Sequence, residues 1–394
     1  MVLTQLPQWL LIQATIGLAI SYTPPNANTL RSAAAIVIIA LATSLQIEAI
    51  FPGGKILAAA GPIAAMGWVN VLNGIELLLL SRVSYRAQVE WEKTQLKAPA
   101  PTSQLTWAFW MPYNYRRVRT PWQIKRLPCF RRDEPGYVPG RGGFLVTCAG
   151  KAVLCGSLVR ILTVDLRYAG LEEQLGILWG QREDVTLLHR VLVQTSFMVP
   201  FAVLIRAVIV GVYSVMALSC VGLGISEPAL WPPISGSLLD AWSIRRLWGL
   251  TWHQMLRTCL VSNINFVFSV LRIPSSSAVA YILRLVLVFA LSGLVHLGMD
   301  LGFSVPIKNS GALHFFTVQA FGMMFEQLVD YVWSTVFGNN TRTSIAGRIV
   351  GYLWVIGFLA VTAPTWLVPI IKGVYDDGER VPLPMHLGWG VLLA

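Results

Sequence analysis

Apolar residues along this chain are gathered into long runs instead of alternating with polar ones. Leu6 to Tyr22, Ser32 to Ile50 and Ile56 to Leu80 each reach or approach the roughly 20 residues a helix needs to cross a bilayer. The clusters TPPNAN (Thr23 to Asn28) and FPGGK (Phe51 to Lys55) separate these runs with helix-stopping chemistry. Glu48 and Glu76 fall near span ends, where a carboxylate reaches the interface. Phe144 to Val164 is apolar but carries Lys151 and Arg160, so it reads as either a short span or an interfacial helix. Leu187 to Leu223, with Pro200 and Arg206 near its middle, predicts a surface helix bent into a span, or two short helices. Three clear runs follow at Ala278 to Phe303, Ala312 to Phe337 and Ile345 to Ile371. The expected fold is an all-α polytopic membrane protein with roughly seven to nine transmembrane helices plus interfacial amphipathic helices.

Composition agrees with that pattern. Hydrophobic residues make up 55% of the chain and charged residues 12%, and the mean hydropathy is +0.61, too apolar for a soluble domain. The net charge of +11 is concentrated in residues 81–142, which hold twelve Lys/Arg against four acids. A basic loop of this kind marks the cytosolic side of a membrane, not a nucleic-acid site. The expected organisation is therefore N-terminal transmembrane helices over 1–80, a basic cytosolic loop over 81–142, and a second membrane region over 143–394, which the resemblance described below implies is catalytic. Within the loop, Trp107, Trp110, Tyr113, Tyr115 and Trp122 alternate with basic residues; this fits a segment lying on anionic headgroups, and equally a solvated loop. Cys129, Cys148, Cys155, Cys220 and Cys259 show no CxxC spacing, which argues against a disulfide framework or a metal site and for packing roles. The N-terminus lacks a positive n-region and a cleavage signal, so it reads as a retained span and not a signal peptide.

Two stretches carry candidate chemistry. The first is LWPPISGSLLDAWSIRRLWGLTWHQMLRTCL, Leu230 to Leu260. On a helix from Asp240 to Leu260, at about 100° per residue, Arg246, His253 and Arg257 share one face, with Trp248 and Trp252 on the other side. An interfacial helix whose arginines meet headgroups accounts for that pattern, and so does a histidine placed for reaction. The second stretch is SGLVHLGMD, where Ser292, His296 and Asp300 recur at every fourth position inside an apolar span. An ionisable group there needs a partner or a purpose. Asp300 is a candidate to accept from one imidazole nitrogen and leave the other as a base; a structural buried histidine is the alternative. Glu326 and Asp330 are also four apart in an apolar run, and line the same cavity as His296 or sit at a polar span end. His189, His314 and His386 have no convincing neighbours, and Asn339 heads an Asn-Asn-Thr glycosylation sequon. No Gly-rich phosphate loop, GxSxG elbow or HExxH is present.

These residues resemble the wax-synthase-like branch of the membrane-bound O-acyltransferases, and in particular its group of fungal acetyltransferases acting on terpenoids and meroterpenoids. The family's first motif, S-x-x-x-F-W-G-R-x-W-[NH]-x-x-x-R, is met by Ser243, Trp248, Gly249, Trp252, His253 and Arg257, with Leu247 and Leu250 departing from it. Its second motif, a histidine in an apolar helix, is met by His296, and YLWVIGFLAVTAPTW (Tyr352 to Trp366) is similar to its last span. The resemblance implies transfer of an acyl group, acetyl above all, from acyl-CoA to a hydroxyl. His296 would be the base and His253 would polarise the thioester carbonyl, with Asp300, Ser292, Trp252 and Glu326 supporting them. Charge and position suggest Arg245, Arg246 and Arg257 for the coenzyme phosphates. No bound cofactor or metal is expected. The implied partners are a lipophilic alcohol, acyl-CoA and the bilayer, in the endoplasmic reticulum. A long-chain wax ester synthase is an alternative within the same chemistry. A transporter with a path through His296, Asp300, Glu326 and Asp330 is the alternative from another class.

Overall fold

The computed structural model describes residues 2–51, 60–96, 103–162, 186–274, 277–337 and 344–376. Among them there are helices and connecting turns, and no strand. The helices are α1 (Val2–Tyr22), α2 (Asn28–Ile50), α3 (Ala60–Ile75, prolonged by a π-helical turn, Glu76–Leu80), α4 (Tyr85–Trp91), α5 (Gln104–Trp110) and α6 (Arg141–Leu162). They continue with α7 (Leu187–Gly222), α8 (Arg257–Val270), α9 (Ala278–Gly302), α10 (Ala312–Phe337), α11 (Ile345–Thr362) and α12 (Pro364–Asp376). Six spans among the described residues, α2, α3 with its π turn, α6, α7, α9 and α11, are long and apolar enough to cross a membrane. The expected spans at the N-terminus and over 312–337 form α1 and α10. Polar residues such as Gln5, Gln8 and Gln13 in α1, and Gln319 and Glu326 in α10, keep these two helices outside that set.

The chain divides into two compact units: Met1–Lys125 with Met255–Thr317, and Arg126–Gln254 with Val318–Ala394. In the first, Ile12 and Ile16 of α1, Ile38 and Ala42 of α2, and Leu77 and Leu78 of the π turn form an apolar core with Trp107 and Met111. Small residues let α9 approach α3 closely, the usual device for packing helices in lipid. A Cβ on Gly302 would lie 2.7 Å from the Cα of Gly61. In the second unit α6 packs along α7, with Phe144 and Cys148 of α6 buried against Ala217 and Val221 of α7.

Four expectations change. Residues 187–222 form one continuous helix through Pro200; a long apolar helix tolerates an internal proline where neighbouring groups satisfy the freed carbonyl. Residues 141–162 form a full-length helix, α6, which settles that segment as a candidate span. Glu76 does not reach an interface: it is fully buried and ion-paired with the equally buried Arg117. Nor does the basic loop simply lie on headgroups, because Trp107, Tyr115 and Arg117 are core residues of the first unit. The Arg117 guanidinium donates to Asn73 Oδ1 at 2.7 Å and to the Asn114 carbonyl at 2.9 Å, while the Asn73 amide donates to the Pro112 carbonyl at 3.0 Å. These bonds fasten the loop to α3 and hold Arg117 in left-handed backbone, φ 54°. Burial pushes the Tyr115 phenol above its ordinary range, and its hydroxyl donates to Asn70 Oδ1 at 2.7 Å.

Candidate active site

The residues expected to carry chemistry fall into one group in each unit. In the first unit, α9 presents Ser292, His296 and Asp300. The His296 Nδ1 lies 2.7 Å from the Ser292 carbonyl oxygen. A carbonyl only accepts, so in the neutral ring Nδ1 carries the proton and Nε2 holds the lone pair. The ring stacks on Phe316 at the start of α10, with centroids 4.1 Å apart and planes inclined by 27°. One backbone bond and one aromatic face therefore fix both the tautomer and the tilt of the imidazole.

The tautomer-setting bond was expected from Asp300; the main chain of Ser292 makes it, one helical turn back. Asp300 is fully buried, and its Oδ2 accepts from the Ser310 hydroxyl at 2.5 Å. Its carbonyl accepts from the amides of Phe303 and Val305 at 2.9 and 3.0 Å. Asp300 thus closes the C-terminal end of α9 and ties down the turn that leads to α10. Arg257 opens α8 with an exposed side chain, whose Nη1 reaches the Lys125 carbonyl at 3.5 Å.

In the second unit the stretch around His253 is not the single amphipathic helix expected from Asp240 to Leu260. It is a helical turn, Ile244–Arg246, a π-helical turn, Leu247–Thr251, and a break at Trp252 in extended backbone, ψ 166°. The physical reason is capture of carbonyls that would otherwise continue the helix. Arg206, from mid-α7, donates to the Thr251 carbonyl at 3.1 Å and to the Gly236 carbonyl at 2.8 Å. The Gln254 amide donates to the Gly249 carbonyl at 2.9 Å. Gly236 has no Cβ to obstruct this packing; one placed there would sit 2.2 Å from the Leu250 carbonyl oxygen. A shared helical face for Arg246, His253 and Arg257 therefore does not exist.

Glu326 of α10 anchors the front of the same turn. Its carboxylate accepts from the Ile244 amide, from the Arg245 amide at 3.1 Å and from the Trp354 indole at 2.9 Å. A buried anion at a helical N-terminus is well matched to those free N–H groups. Ser243 adds a side-chain cap, accepting from the Arg246 amide at 3.1 Å. Trp248 donates its indole N–H to Gln319 at 3.1 Å and meets Trp252 edge to face, with centroids 5.8 Å apart. Trp252 in turn flanks the half-buried His253 at 5.7 Å. Arg245 is exposed. Arg246 is engaged internally, paired with Asp240 at 2.9 Å and set over the Trp242 ring at 4.4 Å.

Phe316, Ser310, Gln254 and Trp354 are the residues that reading the sequence missed. Gln254 lies inside the first motif and Trp354 in the segment similar to the last span, yet the role of each comes from its hydrogen-bond partner and not from the pattern. Arg206 was visible as a cation inside an apolar run. Asn339 and His386 lie outside the described residues.

Residues 231–318 match the model of the Membrane bound O-acyl transferase family. The chain is similar to the acetyltransferase spyB of Aspergillus fumigatus, 28% identical over 82% of this chain and 57% of that protein. It is 35% identical to the acetyltransferase ataH of Aspergillus terreus over 44% of this chain and 57% of that protein. With the acetyltransferase cdmC of Talaromyces verruculosus it shares 27% identity over 82% of this chain and 79% of that protein. Matches to the first two relatives thus span 57% of their lengths. The segment that matches the Membrane bound O-acyl transferase family, residues 231–318, carries both His253 and His296.

Proposed function

We propose that the protein is a membrane-bound acetyltransferase that moves an acetyl group from acetyl-CoA to the hydroxyl of a lipophilic terpenoid or meroterpenoid. The observation that carries this reading is the His296 ring. Its Nδ1 is committed to the Ser292 carbonyl, which leaves Nε2 as the lone-pair nitrogen in a segment of acyltransferase sequence. In the reaction Nε2 takes the alcohol proton as the alcohol oxygen attacks the thioester carbonyl carbon. The tetrahedral intermediate then collapses: the carbon–sulfur bond breaks, the ester forms, and the departing thiolate recovers the proton from the imidazole. Positioned acid–base help of this kind is worth about 10² to 10⁴ in rate. By its place in the family motif, His253 polarises the carbonyl and stabilises the negative oxygen of the intermediate. A bilayer is the natural setting, since the acceptor dissolves in lipid while the donor is charged and aqueous. We place the enzyme in the endoplasmic reticulum with its basic loop in the cytosol.

The test uses microsomes expressing the chain, given labelled acetyl-CoA or a long-chain acyl-CoA and a panel of terpenoid alcohols. Acetylated product from acetyl-CoA is the expected result, and His253→Ala should abolish most of it at normal expression. Preference for the long chain would instead make it a wax synthase. Alcohol uptake into proteoliposomes without any coenzyme, and no ester from either donor, would replace the reading with a transporter.

A further inference from the structure

Within the second unit, α6, α7 and the segment leading into the His253 turn line a half-open cleft of about 450 Å³, a size suited to a small-molecule ligand. Lys151, Arg206 and Arg131 line it, and no carboxylate does among the described residues. Lys151 is at the midpoint of α6 and Arg206 near the middle of α7. Cations held that deep in apolar spans are costly unless something negative meets them. Arg206 has two described acceptors, the carbonyls of Thr251 and Gly236, so its five-donor guanidinium keeps N–H groups for another partner. Arg131 lies over the Tyr137 ring at 3.9 Å and has a long, exposed contact with Glu134 at 3.9 Å; that contact offers little competition for a ligand. Part of the remaining wall is aromatic, among small and aliphatic residues: Trp231 and Tyr213 pair with centroids 5.2 Å apart, and Phe130 meets Phe144 edge to face at 6.3 Å.

We propose that this cleft is a phosphate-binding site. Lys151 and Arg206 have no described carboxylate partner and favour an anion, and with Arg131 two guanidinium forks and an ammonium match the oxygens of a phosphoryl group. The aromatic wall favours a phosphate joined to a planar ring, as in the nucleotide end of the acyl donor, and to that extent the assignment rests on the acetyl-transfer reading. A phospholipid headgroup offers the same chemistry. Arg206 gives the site a route to the reaction, since the guanidinium that faces the cleft also holds the Thr251 carbonyl, beside Trp252 and His253.

The full chain is reconstituted in nanodiscs of phosphatidylcholine alone and titrated with adenosine 3′,5′-bisphosphate, a nucleotide without the thioester. The wild type should bind it. Lys151→Met, which suits a span, and Arg131→Gln, which lies outside the spans, should each weaken binding about tenfold, the equivalent of one charge-assisted hydrogen bond. The KM for acetyl-CoA should rise by the same factor at constant kcat. In a second arm, nanodiscs containing phosphatidylinositol are washed and the retained lipid is measured by mass spectrometry. Lys151-dependent retention of that lipid, without nucleotide binding, identifies a headgroup as the source of the phosphate. Nucleotide and lipid binding unchanged in both variants, or absent from the wild type, overturns the site. Nucleotide binding by a wild type that acetylates no alcohol would leave the site standing and remove the transferase reading.

Discussion

Replacing Glu326 with glutamine tests whether the His253 turn is held in shape from α10. The carboxylate accepts three N–H groups, from Ile244, Arg245 and Trp354, and is 6% exposed. Glutamine keeps the volume but turns one oxygen into a donor that faces an N–H. At least one charge-assisted bond, worth about 1.5–3 kcal/mol, is lost and a buried donor is left unsatisfied. If about 2 kcal/mol of that falls on the ordered turn, the equilibrium constant that holds the turn in its competent form drops roughly 30-fold. Because the Arg245 and Ile244 amides open the helical turn that precedes Trp252, the loss should appear in kcat more than in thermal stability. The assay is the initial rate of acetyl transfer per milligram of monodisperse protein, alongside a melting curve. A Glu326→Gln enzyme with wild-type rate and wild-type melting would refute the anchoring role.

The buried ion pair makes a stability prediction. Arg117→Met leaves Glu76 charged and enclosed, which should cost about 3–5 kcal/mol and appear as a sharply lower melting temperature or loss of expression; an unchanged melt would contradict the network described for α3. Gly302→Ala forces a methyl to within 2.7 Å of the Gly61 main chain, where no side chain can give way. A loss of about 1–3 kcal/mol is expected, measurable as a lower melting temperature, and a neutral outcome would show that α3 and α9 sit further apart.

The spans were legible because bilayer-length apolar runs separated by Pro, Gly and Asn clusters carry their own signal. The unbroken course of α7 was not legible, because Pro200 and Arg206 near its middle pointed to a bend or to two short helices. The stretch around His253 was legible as a motif but not as a shape. Its helical periodicity is genuine, yet Arg206, Gln254 and Glu326 take up the main-chain groups that a continuous helix would use. Arg206 and Glu326 reach the turn from far along the chain, which no local pattern announces. The same holds for His296: its place in the span was readable, whereas the Phe316 face and the Ser292 carbonyl that set its tautomer are matters of geometry. Glu76 and Arg117 show the limit most plainly, because a carboxylate near a span end and an arginine in a basic loop each look solvated until they are seen to bury one another.

The central claim is that His296 is the base in acyl transfer. The direct measurement compares wild-type and His296→Ala protein, matched for folded amount in microsomes, in their conversion of labelled acetyl-CoA and an accepted terpenoid alcohol to the ester. The account predicts that the variant loses at least about 10²-fold in rate while keeping its affinity for the donor. Equal ester formation by the two proteins would contradict it.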